Sequence, residues 1–146
     1  MKISTKGRYG TRALLDLALH HDDEPVALKD IAERQQFSLS YLEHLVAPLI
    51  TGGLIHSVKG PKGGIALNKN PREIKLSEII QLLEGSIAPV ECVDRPALCQ
   101  RSKFCATRDV WDEVKQAMNS VLETTTLQML VDRQSKKAPK DAMYYI

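Results

Sequence analysis

The sequence predicts a mainly α-helical chain carrying one small β-hairpin, and three observations lead there. Apolar residues recur at helical spacing in several separate stretches. A basic Gly/Pro-tipped segment, Gly60-Pro61-Lys62-Gly63-Gly64, separates two short strand-like runs. Past residue 106 a helical period persists for about five turns, longer than anything before it.

The first helix is expected over 6–20, where Tyr9, Ala13, Leu14, Leu17 and Ala18 share a face. Asp22-Asp23-Glu24-Pro25 breaks it. A short second helix turns Leu28, Ile31 and Ala32 inward, and Gln35-Gln36-Phe37 forms a tight connection. A third starts near Ser40, with Leu42, Leu45, Val46 and Leu49 as its buried stripe. Ser40-x-x-Glu43 has the spacing of a capping box. Pro48 should kink this helix or end its regular part, and Gly52-Gly53 closes it. Residues 54–59 and 65–67 are the strands of the hairpin. Two short helices joined tightly and followed by a basic hairpin make a winged helix-turn-helix with its reading unit over 26–67.

Leu76 to Glu84 follows as a helix stopped by Gly85. Residues 86–104 show no clear period. Val110, Trp111, Val114, Met118, Val121 and Leu122 then line one face of the long helix. That face is too apolar for so small a domain, so a second subunit is expected to cover it. A last short helix begins near Thr125-Thr126, and the tail 135–141 is polar and basic. The organisation is therefore 1–85, a winged helix-turn-helix domain; 86–106, a cysteine-bearing loop; and 107–146, a dimerisation helix and C-terminal tail.

The bulk numbers fit this outline. A chain of 146 residues with 43% hydrophobic and 26% charged residues is ordinary for a globular domain. No apolar run approaches a bilayer span and the N-terminus lacks a signal-peptide core, so the expectation is a cytoplasmic protein without membrane contact. Net charge is only +2, but residues 1–72 carry ten Lys/Arg against seven Asp/Glu and the remainder ten against eleven. The basic excess lies in the half that holds the hairpin, as contact with nucleic acid requires. The outer face of the third helix offers Ser40, Tyr41, Glu43 and His44 to base edges. On the wing, Lys59 and Lys62 suit the minor groove or phosphates, and Thr5, Lys6, Arg8 and Tyr9 add candidate backbone contacts. Glu43 has two readings, a cap for its own helix or a carboxylate that accepts from cytosine and excludes other bases.

The three cysteines, spaced Cys92-x6-Cys99-x5-Cys105, are too few and too clustered for a disulfide framework or scattered core positions. The close pairs typical of zinc sites are missing. Thiolates favour iron–sulfur clusters, and three cysteines on one loop can wrap one. Buried or redox-active thiols are the alternative. His20, His21 and His56 read as surface or core residues. An enzyme finds no support: there is no nucleophile–base pair, phosphate loop or Cys-x-x-Cys.

Residues 1–10 (Met-Lys-Ile-Ser-Thr-Lys-Gly-Arg-Tyr-Gly), Ser38-Leu39-Ser40-Tyr41-Leu42-Glu43, the wing from Val58 to Gly64, and Leu83-Glu84-Gly85-Ser86-Ile87-Ala88-Pro89-Val90-Glu91-Cys92 resemble the bacterial iron–sulfur cluster regulator (IscR) and cysteine metabolism repressor (CymR) family. The resemblance covers nearly the whole chain. It implies a homodimer, joined through the long helix, that binds partly palindromic double-stranded promoter DNA as a repressor. It adds Ser38 and the wing residues Gly60, Pro61 and Gly63 to the DNA-binding set, and gives the positions of Ser40 and Glu43 DNA contact. It also makes Cys92, Cys99 and Cys105 ligands of an iron–sulfur cluster, of 2Fe–2S or 4Fe–4S type.

This chain departs from that pattern at the fourth ligand. Arg108 stands where one relative has histidine, and Arg8 where a nitric-oxide-sensing relative has an aspartate from its partner's first helix. Glu91, Asp94 and Asp109 are the oxygen donors nearby, and a small molecule or water is a further option. The ending Ala142-Met143-Tyr144-Tyr145-Ile146 is similar to the tail of the cysteine repressor, which lacks these cysteines and associates with cysteine synthase. The resemblance thus offers Tyr145 and Ile146 as partner-binding residues, alongside a tail packed on its own dimer. It also leaves a cluster-free repressor of cysteine metabolism as the second reading.

Overall fold

Leu14 and Leu17 of the first helix, Ile31 of the second, and Leu42, Leu45 and Leu49 of the third are all almost fully buried, as their spacing requires. The computed structural model describes residues 2–22 and 24–138. In order these form α1 (Thr5–Leu19), α2 (Leu28–Gln35), α3 (Leu39–Thr51), β1 (Ile55–Val58), β2 (Gly64–Leu67), α4 (Leu76–Glu84), α5 (Glu91–Asp94), α6 (Ala106–Thr124) and α7 (Leu127–Lys137). Short 3-10 turns precede α4 and interrupt the segment between α5 and α6. The predicted helices and hairpin are all present, and the fold is a winged helix-turn-helix with a long helix appended.

The hairpin is antiparallel, pairing Ile55 with Leu67, His56 with Ala66, Ser57 with Ile65 and Val58 with Gly64. Val26 and Ile65 exchange both backbone hydrogen bonds at 2.9 Å, which ties the root of the wing to the segment entering α2. Gly64 permits this approach, because a Cβ there would overlap the Val26 carbonyl. Gln36, in the left-handed conformation at φ 61°, turns the chain from α2 toward α3.

One local expectation is corrected and one is narrowed. The cap of α3 is Ser38, whose Oγ accepts the Tyr41 N–H at 3.1 Å. Ser40 and Glu43 lie inside the helix with exposed side chains, so the capping-box spacing is coincidental. Pro48 does not end α3, which runs on to Thr51; one i−4 hydrogen bond is forfeited, and the Gly52 N–H closes the turn on Pro48 O at 2.9 Å.

α1 packs against α2, α3, α4 and α7. α7, which the sequence groups with the long helix, returns to the winged domain. Leu127 is fully buried in the domain core, and the Leu127 N–H donates to Ile74 O at 2.8 Å. Burying one such side chain contributes about 1.5–3 kcal/mol, and the packing of α7 on α1 adds to it. By contrast, none of the 19 residues of α6 is buried among the described residues.

Replacing Ser38 by alanine should cost about 1 kcal/mol in urea unfolding. Ser40→Ala and Glu43→Ala should each stay within about 0.5 kcal/mol of the parent, as exposed non-capping positions do. The reverse order would return the cap to Ser40.

Candidate nucleic-acid interface and cysteine loop

The predicted reading residues fall on three exposed elements. Ser38, Ser40, Glu43 and His44 are exposed along the first turns of α3. Tyr41 is half-buried, its ring edge-on to Phe37 and Tyr9 at 6.4 and 6.2 Å between centroids. It therefore supports α3 as much as it faces outward. Lys59, Gly60, Pro61 and Lys62 are exposed at the wing tip, and Gly63 is half-buried behind them. Thr5, Lys6 and Arg8 are exposed on the first turns of α1, with the Arg8 guanidinium 5.5 Å from the Tyr9 ring centre.

Behind this surface is a network that pattern reading missed. Asp16 on α1 is 1% exposed and accepts from Arg34 through both oxygens, at 2.7 to 3.2 Å, and from Gln35 Nε2 at 2.9 Å. The hydrogen bond to Asp16 holds the Arg34 guanidinium above its ordinary pKa. Arg12, one turn earlier, donates to Gln35 Oε1 at 3.2 Å and to the Gln35 carbonyl at 3.1 Å, and lies about 5 Å from the Tyr9 and Phe37 rings. Both networks grip the connection that leads into α3. No spacing rule pairs residues 16 and 34.

The cysteines sit on the segment between α4 and α6. Cys92 is half-buried on α5, Cys99 is exposed after a 3-10 turn, and Cys105 is half-buried at the N-cap of α6. The segment is tied internally. Buried Ser102 donates to the Pro96 and Cys99 carbonyls, and Lys115 donates to Asp94 at 2.7 Å. Asp94 also accepts from the Ser86 hydroxyl. These two donors, Lys115 first, pull the Asp94 carboxyl below its usual range. Arg108 Nε donates to Cys92 O at 2.9 Å and its Nη2 to Val93 O at 3.5 Å. The residue at the expected ligand position is thus a latch between α6 and the first cysteine.

The Thr107 hydroxyl, 3.1 Å from Cys105 Sγ, and the backbone N–H of Arg108 lower the Cys105 thiol pKa. This favours the thiolate, the form that ligates metals. The donor set accordingly fits an iron–sulfur cluster in its chemistry. Convergence is another matter: among the described residues, no three Cys, His, Asp or Glu side chains are gathered for one metal ion. Tyr145 and Ile146 lie outside the described residues.

A capped helix set beside a basic wing, both exposed and both braced from behind, defines a DNA-binding transcription regulator. A family model described as an iron-dependent transcriptional regulator matches residues 3–133, and the chain belongs to that family, Rrf2. It is 42% identical over 142 residues to protein rrf2 of Nitratidesulfovibrio vulgaris, covering 97% of this chain and 94% of the relative. Identity to the HTH-type transcriptional regulator IscR of Pectobacterium atrosepticum is 41% over 132 residues, 90% of this chain and 80% of that one. Among solved structures, CymR, the global cysteine regulator of B. subtilis, superposes with a TM-score of 0.77 at 40% identity, over 91% of this chain and 98% of that one. T. potens IscR also gives 0.77, at 41% identity over 99% and 97%. The chain is thus a regulator of the IscR/CymR type, and these relatives are not enzymes. No helix among the described residues is long and apolar enough to cross a membrane.

The alkylation rate of Cys105 should rise with pH through a midpoint below that of free cysteine, and Thr107→Val should move that midpoint upward. Rates from peptide mass mapping check this; a Thr107→Val profile superposing on the parent's would remove the hydroxyl as the cause.

Proposed function

We propose that this chain is a homodimeric repressor of iron, iron–sulfur or sulfur and cysteine metabolism genes, controlled by an iron–sulfur cluster held at Cys92, Cys99 and Cys105. The observation that carries the reading is an adjacency. Helix α4, packed on α1 and α3, ends at Gly85, and the segment that starts at the next residue carries every cysteine of the chain.

In this reading α3 enters the major groove of partly palindromic promoter DNA, with Ser38, Ser40, Tyr41, Glu43 and His44 toward bases and backbone. Residues 59–63 of the wing, led by Lys59 and Lys62, hold phosphates or the minor groove, and Thr5, Lys6 and Arg8 contact the backbone nearby. A second copy covers α6, where Val110 is 50%, Trp111 36% and Val121 63% exposed in the single chain. A bound cluster supplies a group that responds to iron supply and oxidants. Arg108 holds the backbone of Cys92 and Val93, and Thr107 favours the Cys105 thiolate. Glu91 and Asp109 remain as oxygen donors, Asp94 being engaged by Lys115 and Ser86.

The second reading, a cluster-free cysteine-metabolism repressor associated with cysteine synthase, draws on the likeness to CymR and on the ungathered cysteines. Anaerobic reconstitution followed by iron analysis, absorbance and Mössbauer spectroscopy separates the two. A protein that takes up no iron would end the cluster reading.

Lys59→Ala and Lys62→Ala should each weaken binding across sequences and lower the slope of log K against log salt by about one. Glu43→Ala should relax sequence preference instead, and a binding assay over randomised sites distinguishes the two effects. Trp111→Asp should yield monomers in sedimentation and abolish binding to paired half-sites. A dimer that survives the substitution would place the interface elsewhere.

A further inference from the structure

We propose that the last turn of α4, Leu82-Leu83-Glu84, carries the state of the cysteine loop to the DNA-facing end of α1 and to α3 through its C-cap, with Glu84 as the positioning residue. The inference rests on the reading of the loop as the control region.

Three consecutive side chains of this turn each occupy a notch made by a missing Cβ. A Cβ at Gly52, the C-cap of α3, would overlap both Leu82 methyls. The Gly52 backbone is ordinary, at φ −77°, so space and not conformation is what this glycine provides. A Cβ at Gly10 would overlap the Leu83 methyls, and one at Gly7 the Glu84 carboxylate. Gly7 and Gly10 lie three residues apart and buried in α1.

Glu84 does more than fill space. Its carboxylate accepts the backbone N–H of Ser4, the N-cap of α1, while Ser4 Oγ accepts the Gly7 N–H at 3.2 Å. A negative group at a helix N-terminus is favoured by the free amides there. The next residues are Thr5, Lys6 and Arg8. Glu84 therefore sets the place of the α1 end proposed to meet the DNA backbone.

On its other side the turn meets the loop. Gly85, at φ 76°, takes the chain out of the helix, and Ser86 then hydrogen-bonds Asp94, which Lys115 of α6 holds. The path from Cys92 and Arg108 to Ser4 thus runs through direct contacts, with one glycine between loop and notch. Side chains seated in backbone notches move with their partners or leave them; they do not slide gradually. Because one turn engages both α1 and α3, displacing it changes the spacing of two DNA-facing elements together.

The test uses the full-length protein and DNA from upstream of its own gene. Affinity is measured with the reconstituted cluster and after iron removal by a chelator, for the parent, Glu84→Gln, Glu84→Ala, Gly7→Ala and the double variant Gly7→Ala/Glu84→Ala. Glu84→Gln keeps the acceptor for the Ser4 N–H and should stay near the parent. Glu84→Ala and Gly7→Ala should each weaken binding about tenfold, by misplacing the backbone contacts proposed for Thr5, Lys6 and Arg8, and bring the ratio of affinities in the two states toward one. The double variant should match Glu84→Ala, since the methyl added at position 7 then meets empty space. Absorbance of the cluster and the far-UV circular dichroism should match the parent's, while the thermal midpoint falls by a few degrees. Additive losses in the double variant, or an unchanged ratio in both single variants, would overturn the inference. If parent affinity is the same in both states, the control reading fails and transmission falls with it. The cycle between Gly7 and Glu84 on DNA affinity then still decides the positioning role.

Discussion

A carboxylate shut away from water inside a small domain has to be paired, and Asp16 is paired with the end of α2. Its two oxygens take the guanidinium of Arg34 and the amide of Gln35. Removing one partner of such a buried pair strands the other, at a cost of about 3–5 kcal/mol when both are fully enclosed. Arg34 is partly exposed, which lowers that figure, yet the geometric effect is undiminished. The carboxylate fixes where α2 ends against α1, Gln36 turns the chain, and α3 starts at the angle that remains. Arg12 repeats the grip from one turn earlier. Since α4 and α7 pack on the same α1, this one helix is the reference for every other helix of the domain.

The second constraint is an incompleteness. Among the described residues, Val110, Trp111 and Val121 of α6 stay exposed although α4 and α5 pack on that helix, and Leu98 and Phe104 of the cysteine loop are exposed as well, at 58% and 91%. Exposed apolar side chains grouped in this way are costly in water, and the proposed dimer would cover them. The winged domain is finished on its own, down to α7 returning to bury Leu127. Folding of the reading unit and assembly of the control region therefore rest on different surfaces. In the proposed dimer, that separation is what would let a change in the loop act on the spacing of two reading units without unfolding either.

Much of the fold was legible because its signals are local. The stripe Leu42, Leu45, Val46, Leu49 marks a helix whatever surrounds it, and Gly85 ends α4 where the pattern says it must. The wing was legible from its Gly/Pro tip and flanking apolar runs. Misreadings came where two local signals compete or where the partner is distant. Ser38 and Ser40 are both able caps, and only the position of the backbone decides between them. Arg108, which stands where a relative has a ligand, has its partners at Cys92 and Val93, which no local signal names. Gly7 and Gly10 lie inside a helical stretch, and nothing local says that Leu83 and Glu84 pack against them.

The sequence by itself determined the helices, the hairpin, the exposed basic and polar residues of the reading surface, and the placing of three thiols on one segment. These follow from periodicity, turn chemistry and composition, which each residue carries wherever it goes. Tertiary structure alone decided which residues meet across the chain. It paired Asp16 with Arg34, brought Glu84 to the N-terminus of α1, returned α7 to the first domain and gave Arg108 the carbonyl of Cys92. Such pairings depend on the angles between packed helices. Those angles are set by many contacts at once and are encoded in no single stretch of sequence.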